Sequence, residues 1–187
     1  MTLATAAVDW YAARAGGVVA YVLLSAVIVV GLALAGKERV PGWPRFALED
    51  VHRFGGLLVG AFVSAHVLLL VIDSKAHLSL GQVIVPFSSS YRPLWTGLGT
   101  VAAELLLALA VANHYRKRIS HRLWRRFHYL NFAVWLAATA HGLGAGTDRA
   151  SVWFLWMYFI AIGAVAGFTV RRVLRTAAPR VRPDTAR

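Results

Sequence analysis

Residues 51–73, VHRFGGLLVGAFVSAHVLLLVID, form an apolar run long enough to cross a bilayer as one helix, interrupted by two histidines, His52 and His66. At about 1.5 Å rise and 100° per residue, their fourteen-residue interval puts them about 21 Å apart along the axis and within about 40° of one face. A second apolar run, FHYLNFAVWLAATAHGL (127–143), carries His128 and His141, thirteen residues apart. Each run therefore offers one imidazole near either end. On an ideal helix the thirteen-residue interval leaves His128 and His141 about 140° out of phase. A kink, a tilt or different approach angles must absorb that mismatch.

In a soluble core, a histidine is usually a hydrogen-bonded packing residue. Within hydrocarbon an ionisable ring is expensive and reads as functional. Four such rings, matched by depth on two helices, make two stacked pairs. That arrangement suits two b-type haems, one toward each membrane face, with metal ligands His52 and His128, and His66 and His141.

Composition narrows the chemistry further. The 187 residues are 58% hydrophobic, with a mean hydropathy of +0.59 and five apolar runs, which predicts an all-α, polytopic membrane bundle of five helices. One transmembrane domain is expected to occupy 1–187, with no room for a second soluble domain. Cysteine is absent, and the only methionines are Met1 and Met157. Thiolate ligation, c-type attachment, iron–sulfur clusters and disulfides are thereby excluded, leaving histidine as the axial ligand of any iron porphyrin.

The net charge of +12 does not point to nucleic acid, because its distribution is lopsided. Sixteen basic residues fall in the first loop (Lys37 to Arg53), in the loop 114–126 and in the tail from Arg171. Only Arg14, Lys75, Arg92 and Arg149 fall on the other side. The positive-inside rule places the sixteen in the cytoplasm, with the N-terminus outside. Contact with anionic lipid is a second consequence.

The predicted helices span about 12–35, 48–72, 93–113, 122–143 and 151–173. The apolar VIVPFSS segment of the long outer loop is too short to span and is read as interfacial or as a cap on the bundle. SVWFLWMYF, opening the last helix, is expected to supply an aromatic belt. The tail 176–187 is expected to be disordered. His77, His114 and His121 fall in loops or at the membrane edge and are not read as ligands. Glu104 falls near mid-membrane, where an acid is expected to be neutral or partnered and to face the interior. Because the second and fourth helices both run outward, His52 shares the inner depth with His128, and His66 shares the outer depth with His141.

The paired histidines, the ARA sequence at 13–15, and the ARAGG, VPFSSSYRPLWTGLG and HGLGAGTD segments together resemble the ferric reductase-like transmembrane domain family. That family includes NADPH oxidases, ferric reductases and the haem-binding subunit of the bacterial methionine sulfoxide reductase system. The resemblance covers about 12–173 and is to small, stand-alone bacterial members. It implies inner haem ligands His52 and His128 and outer ligands His66 and His141. It also implies Arg14 beside the outer haem, where a propionate partner and an interfacial snorkelling arginine are both open readings.

Three departures qualify the resemblance. Six-helix relatives have one more N-terminal helix. The oxidases continue into flavin and nicotinamide domains, whereas this sequence has no G-x-G-x-x-G fingerprint and no flavin site. Where the oxidases place a further histidine one turn beyond the outer ligand, this chain has Leu70, so the resemblance does not extend to a dedicated superoxide-generating site.

Together these readings describe a di-haem cytochrome b, the ferric reductase-like electron-transfer component of a transmembrane oxidoreductase. Its expected donor is a separate cytoplasmic flavoprotein or quinol, docked at the basic surface of 114–126 and the tail, and its acceptor lies on the outer side. Arg53 and Arg126 on the inner side, and Arg92 and Arg149 on the outer, are candidate propionate partners; each also reads as a topology or headgroup residue. Trp135, midway between His128 and His141, is a candidate for shortening the electron path, and equally a packing residue. Two rivals stay open. One is a non-redox proton or ion transporter using the same histidines and Glu104. The other is a di-metal enzyme, which needs its ligands clustered at one depth.

Overall fold

The computed structural model describes residues 3–73 and 78–177. Among them there are seven helices and no strand: α1 (Leu3–Ala35), α2 (Arg45–Ile72), α3 (Leu80–Ile84), α4 (Pro93–His114), α5 (His121–Tyr129), α6 (Asn131–Ala145) and α7 (Val152–Ala177). Four are long and apolar enough to cross a membrane: α1 over Val8–Ala35, α2, α4 and α7. This is a multi-pass membrane protein by length and composition. His77 and nearly all of the 176–187 tail lie outside the described residues, and α7 itself continues to Ala177.

The fourth predicted helix, 122–143, is not one helix. It breaks at Leu130 into α5 and α6, and the fifteen residues of α6 rise only about 22 Å, short of a hydrocarbon core of about 30 Å. Leu130 donates its N–H to Phe127 O, three residues back, which tightens the turn locally. Asn131 fixes the break by donating its side-chain amide to the His128 carbonyl at 2.8 Å.

α1 is the centre of the bundle. Tyr21, Leu24, Ile28 and Leu32 recur every three or four residues, the spacing of one helical face, and all are buried. They pack with Val134 and Trp135 of α6 and with Phe154, Tyr158 and Val165 of α7. α2 lies along α1 and buries only Val59, leaving Phe54, Leu57 and Leu68 facing out, as suits a lipid-contacting helix. α4 packs chiefly on α6, with Gly99 against His141 and Trp95 against Gly144, and it buries Ala102. At the start of α7, Trp153, Trp156 and Phe159 point outward while Phe154 and Tyr158 turn in, so three of the five aromatics of that stretch are placed to serve as a belt.

Ion pairs tie the two ends of the bundle. At one end Glu38, in the turn after α1, accepts from Arg171 at 2.8 Å and from Arg175, both on α7. At the other end Arg14 of α1 pairs with Asp148, between α6 and α7. The C-terminal ends of α1 and α7 thus lie together at one end of the bundle. The connection between α2 and α4 includes α3, opened by a reciprocal Ser79–Gln82 capping box, and its later part brings Phe87 against Gly97 of α4.

Glu104 departs from expectation. It is exposed on α4 rather than turned inward, and lies about 200° around the helix from buried Ala102. The small residues that allow α4 to approach α6 closely claim the packed face, and the acid is left on the other.

Candidate functional site

The histidines sit on three helices, His52 and His66 on α2, His128 on α5 and His141 on α6, and α2 does not pack extensively on either of the others. α1 brings them to a common site: α2 packs on one side of it and α6 on another. His52 and His128 stand with ring centroids 6.0 Å apart and planes at 65°; His66 and His141 stand 6.4 Å apart at 73°. Two imidazole nitrogens about 2.0 Å from a shared metal, each about 1.1 Å from its ring centre, separate the centroids by about 6.2 Å. Both pairs have the spacing of a two-histidine axial site.

Three of the four rings are anchored to backbone. The Nδ1–H of His66 donates to Ala13 O at 2.6 Å, that of His52 to Val27 O at 3.0 Å, and that of His141 to Trp95 O at 2.9 Å. A proton held on Nδ1 leaves the Nε2 lone pair free for a metal, which is how ligating histidines are commonly oriented. His128 differs. Its Nδ1 faces the Asn131 amide at 3.5 Å, and its ring stacks on Trp124 at 5.1 Å. Trp124 in turn stacks on His121, which otherwise lies exposed at the edge.

The pair His66–His141 opens into a cavity of about 450 Å³ whose wall is largely apolar and rich in Gly and Ala. Arg14 and Asp148 close its polar end. Arg14 uses one terminal nitrogen on Asp148, while its Nε is buried with no hydrogen-bond partner. A buried donor without an acceptor is costly, and a carboxylate entering the cavity would satisfy it. Paired imidazoles, a largely apolar cavity and an orphaned guanidinium nitrogen would fit a haem with its propionate.

The other arginines are placed differently. Arg92, in the left-handed region at φ 43°, bonds the Gly144 carbonyl and stacks on Tyr91, tying the start of α4 to the end of α6. Arg53 is exposed and 3.9 Å from Asp50. Arg126 and Arg149 are exposed, on α5 and in the α6–α7 connection. Among the described residues no three His, Asp or Glu side chains gather as a metal cluster. Glu104, facing outward, joins neither histidine pair.

A model of the ferric reductase-like transmembrane component family matches residues 16–139. The chain belongs to that family. No curated protein and no solved structure matches it. The matched segment of this ferric reductase-like domain contains His52, His66 and His128; Arg14 and His141 each lie two residues beyond its ends. Membership makes the chain a multi-pass transmembrane component of electron transfer. Sequence reading passes over two features of the domain's site, namely the carbonyls that receive the imidazoles and Asp148 opposite Arg14. The carbonyls carry no residue signature, and Asp148 is 134 positions from its partner.

Proposed function

We propose that the protein is a di-haem b-type cytochrome that carries single electrons across a bacterial plasma membrane. The observation that supports this most is the spacing of the two histidine pairs, 6.0 and 6.4 Å between ring centres, in a chain without cysteine. His52 with His128 would hold the inner haem, and His66 with His141 the outer. Arg14 would meet an outer propionate through its free Nε, while Arg53 and Arg126 are the inner candidates. Arg92 has its guanidinium on a backbone carbonyl and serves the outer site by holding α4 to α6. Haem, when bound, supplies the one-electron chemistry. The chain supplies axial nitrogens in a fixed orientation, a dry apolar enclosure and compensating positive charge. On this reading α5 and α6 together make a fifth crossing.

The electron donor is a cytoplasmic flavoprotein or quinol, and the acceptor lies outside. The test is a reduced-minus-oxidised spectrum of the purified protein with a haem-to-protein ratio. Two low-spin b-type haems per chain are expected. A preparation from haem-replete cells with none, or with a single haem, overturns the di-haem reading. Running the reduction once with quinol and once with a flavoprotein identifies the donor class.

Orientation follows from the basic clusters, with the N-terminus outside and the C-terminus cytoplasmic. A reporter fused after Arg187 is expected to be active only on the cytoplasmic side, and external activity would reverse the direction of transfer.

A further inference from the structure

Each of the three carbonyls that receive an imidazole belongs to a residue four positions before a glycine: Ala13 before Gly17, Val27 before Gly31, and Trp95 before Gly99. In an α-helix the carbonyl of residue i already accepts from the N–H of i+4. Its second lone pair points sideways, into space that the side chain of i+4 normally covers, because Cα–Cβ bonds tilt back toward the helix N-terminus. Glycine at i+4 removes that cover. We infer that Gly17, Gly31 and Gly99 are positioning residues, each opening one helix carbonyl so that a histidine can dock its Nδ1–H there.

The geometry is tight at all three. A Cβ on Gly17 would stand 3.0 Å from His66 Cε1 and Nδ1; one on Gly31 would stand 2.9 Å from His52 Cε1; one on Gly99 would stand 2.5 Å from His141 Nδ1. Carbon–carbon contacts prefer about 3.5–4.0 Å, so an added methyl displaces the ring rather than packing against it. The register also repeats. Gly17 and Gly31 are fourteen residues apart, as are Ala13 and Val27 on the same helix and His52 and His66 on the facing one. α1 thus carries the same docking unit at both depths. His128 has no such unit: its ring rests on Trp124 and beside Asn131. The inner pair has one backbone-anchored ligand, and the outer pair has two.

This inference rests on the bis-histidine haem reading for its spectroscopic consequence, but not for its packing consequence. The experiment uses the full chain with Gly17→Ala, Gly31→Ala and Gly99→Ala, and with Gly60→Ala and Gly163→Ala as controls, where an added Cβ meets nothing within 4 Å. Removing an outer-shell support of a metal ligand weakens retention about 10-fold or more. Gly31→Ala should therefore shift the low-spin paramagnetic resonance signal and lower the occupancy of the inner haem alone. Gly17→Ala and Gly99→Ala should do the same to the outer haem alone, and the controls should change neither. Five variants that behave alike would overturn the assignment.

A double-mutant cycle keeps the test decisive if a glycine variant is poorly folded. Gly17→Ala should lower thermal stability in the wild-type background and much less in a His66→Ala background, where no ring meets the methyl. Equal losses in both backgrounds would show that Gly17 serves helix packing only. If the wild type holds no haem yet the cycle shows coupling, the functional reading fails while the docking unit stands.

Discussion

His66→Ala and His141→Ala are each expected to cut the haem content of the purified protein from two per chain to one. The two ring centres stand 6.4 Å apart beside a largely apolar cavity, so on the proposed reading either substitution would remove one of the two residues that would hold the outer haem. The retained haem should be the inner one, because His52 and His128 are positioned by Val27 and Trp124 and share no hydrogen bond with the outer pair. Transmembrane electron delivery should stop, while reduction of the remaining haem from the cytoplasmic side continues. Stability should fall too: a ligand present at about 1,000 times its Kd stabilises the folded state by about 4 kcal/mol, and the variants forfeit the outer share of that. His114→Ala is the control. Its ring is exposed and touches neighbouring Tyr115, and it is not one of the paired rings, so both haems should persist. Two intact haems in either His66→Ala or His141→Ala would remove the outer site from the proposal.

Much of the fold is written in the chain because hydrophobic length and helical period are local properties. The spans predicted for α1, α2, α4 and α7 end within a few residues of Ala35, Ile72, His114 and Ala177, except that α1 starts earlier, at Leu3. The pairing of depths follows from alternating direction alone. The break at Leu130 is different. Neither proline nor glycine marks it, and its cause is a side chain, Asn131, that competes for a backbone carbonyl. Its one trace in the sequence is the phase error of about 140° between His128 and His141, which a continuous helix cannot remove.

The face presented by Glu104 is not legible for a related reason. α4 is apolar nearly all round, so nothing local distinguishes the side that meets α6 from the side that meets lipid. Arg14 and Asp148 meet only through the packing of α1 against the far end of the chain. The fourteen-residue interval between Gly17 and Gly31, by contrast, is visible in the sequence and equals the histidine interval. What the sequence lacks is the reason, which appears only once the imidazoles are seen on the carbonyls of Ala13 and Val27.

Trp135→Ala is expected to be the most destabilising substitution in the bundle outside the histidine pairs, at about 3–5 kcal/mol, the usual range for removing a buried tryptophan. Trp135 is 6% exposed and lies seven residues after His128 and six before His141. Its indole N–H donates to Ser25 Oγ at 2.9 Å, and the Ser25 hydroxyl in turn donates to the Tyr21 carbonyl at 2.9 Å. Thr139 donates to Trp135 O at 2.7 Å, which leaves its oxygen to accept from the Tyr21 hydroxyl at 3.1 Å. Tyr21 then stacks on Tyr158 with centroids 4.3 Å apart. The network running from Trp135 through Ser25, Thr139 and Tyr21 to Tyr158 thus joins α1, α6 and α7 at the level between the two histidine pairs. Trp135→Phe separates the two contributions. It keeps most of the ring and loses only the N–H, and Ser25 can still donate to Tyr21 O, so the cost should be about 1 kcal/mol. Thermal unfolding of both variants in the same detergent, followed by helical circular dichroism, gives the comparison. Equal losses in the two would place the stabilisation in the hydrogen bond rather than the packed ring. A loss below about 1 kcal/mol for Trp135→Ala would mean that the three helices are not joined through this residue.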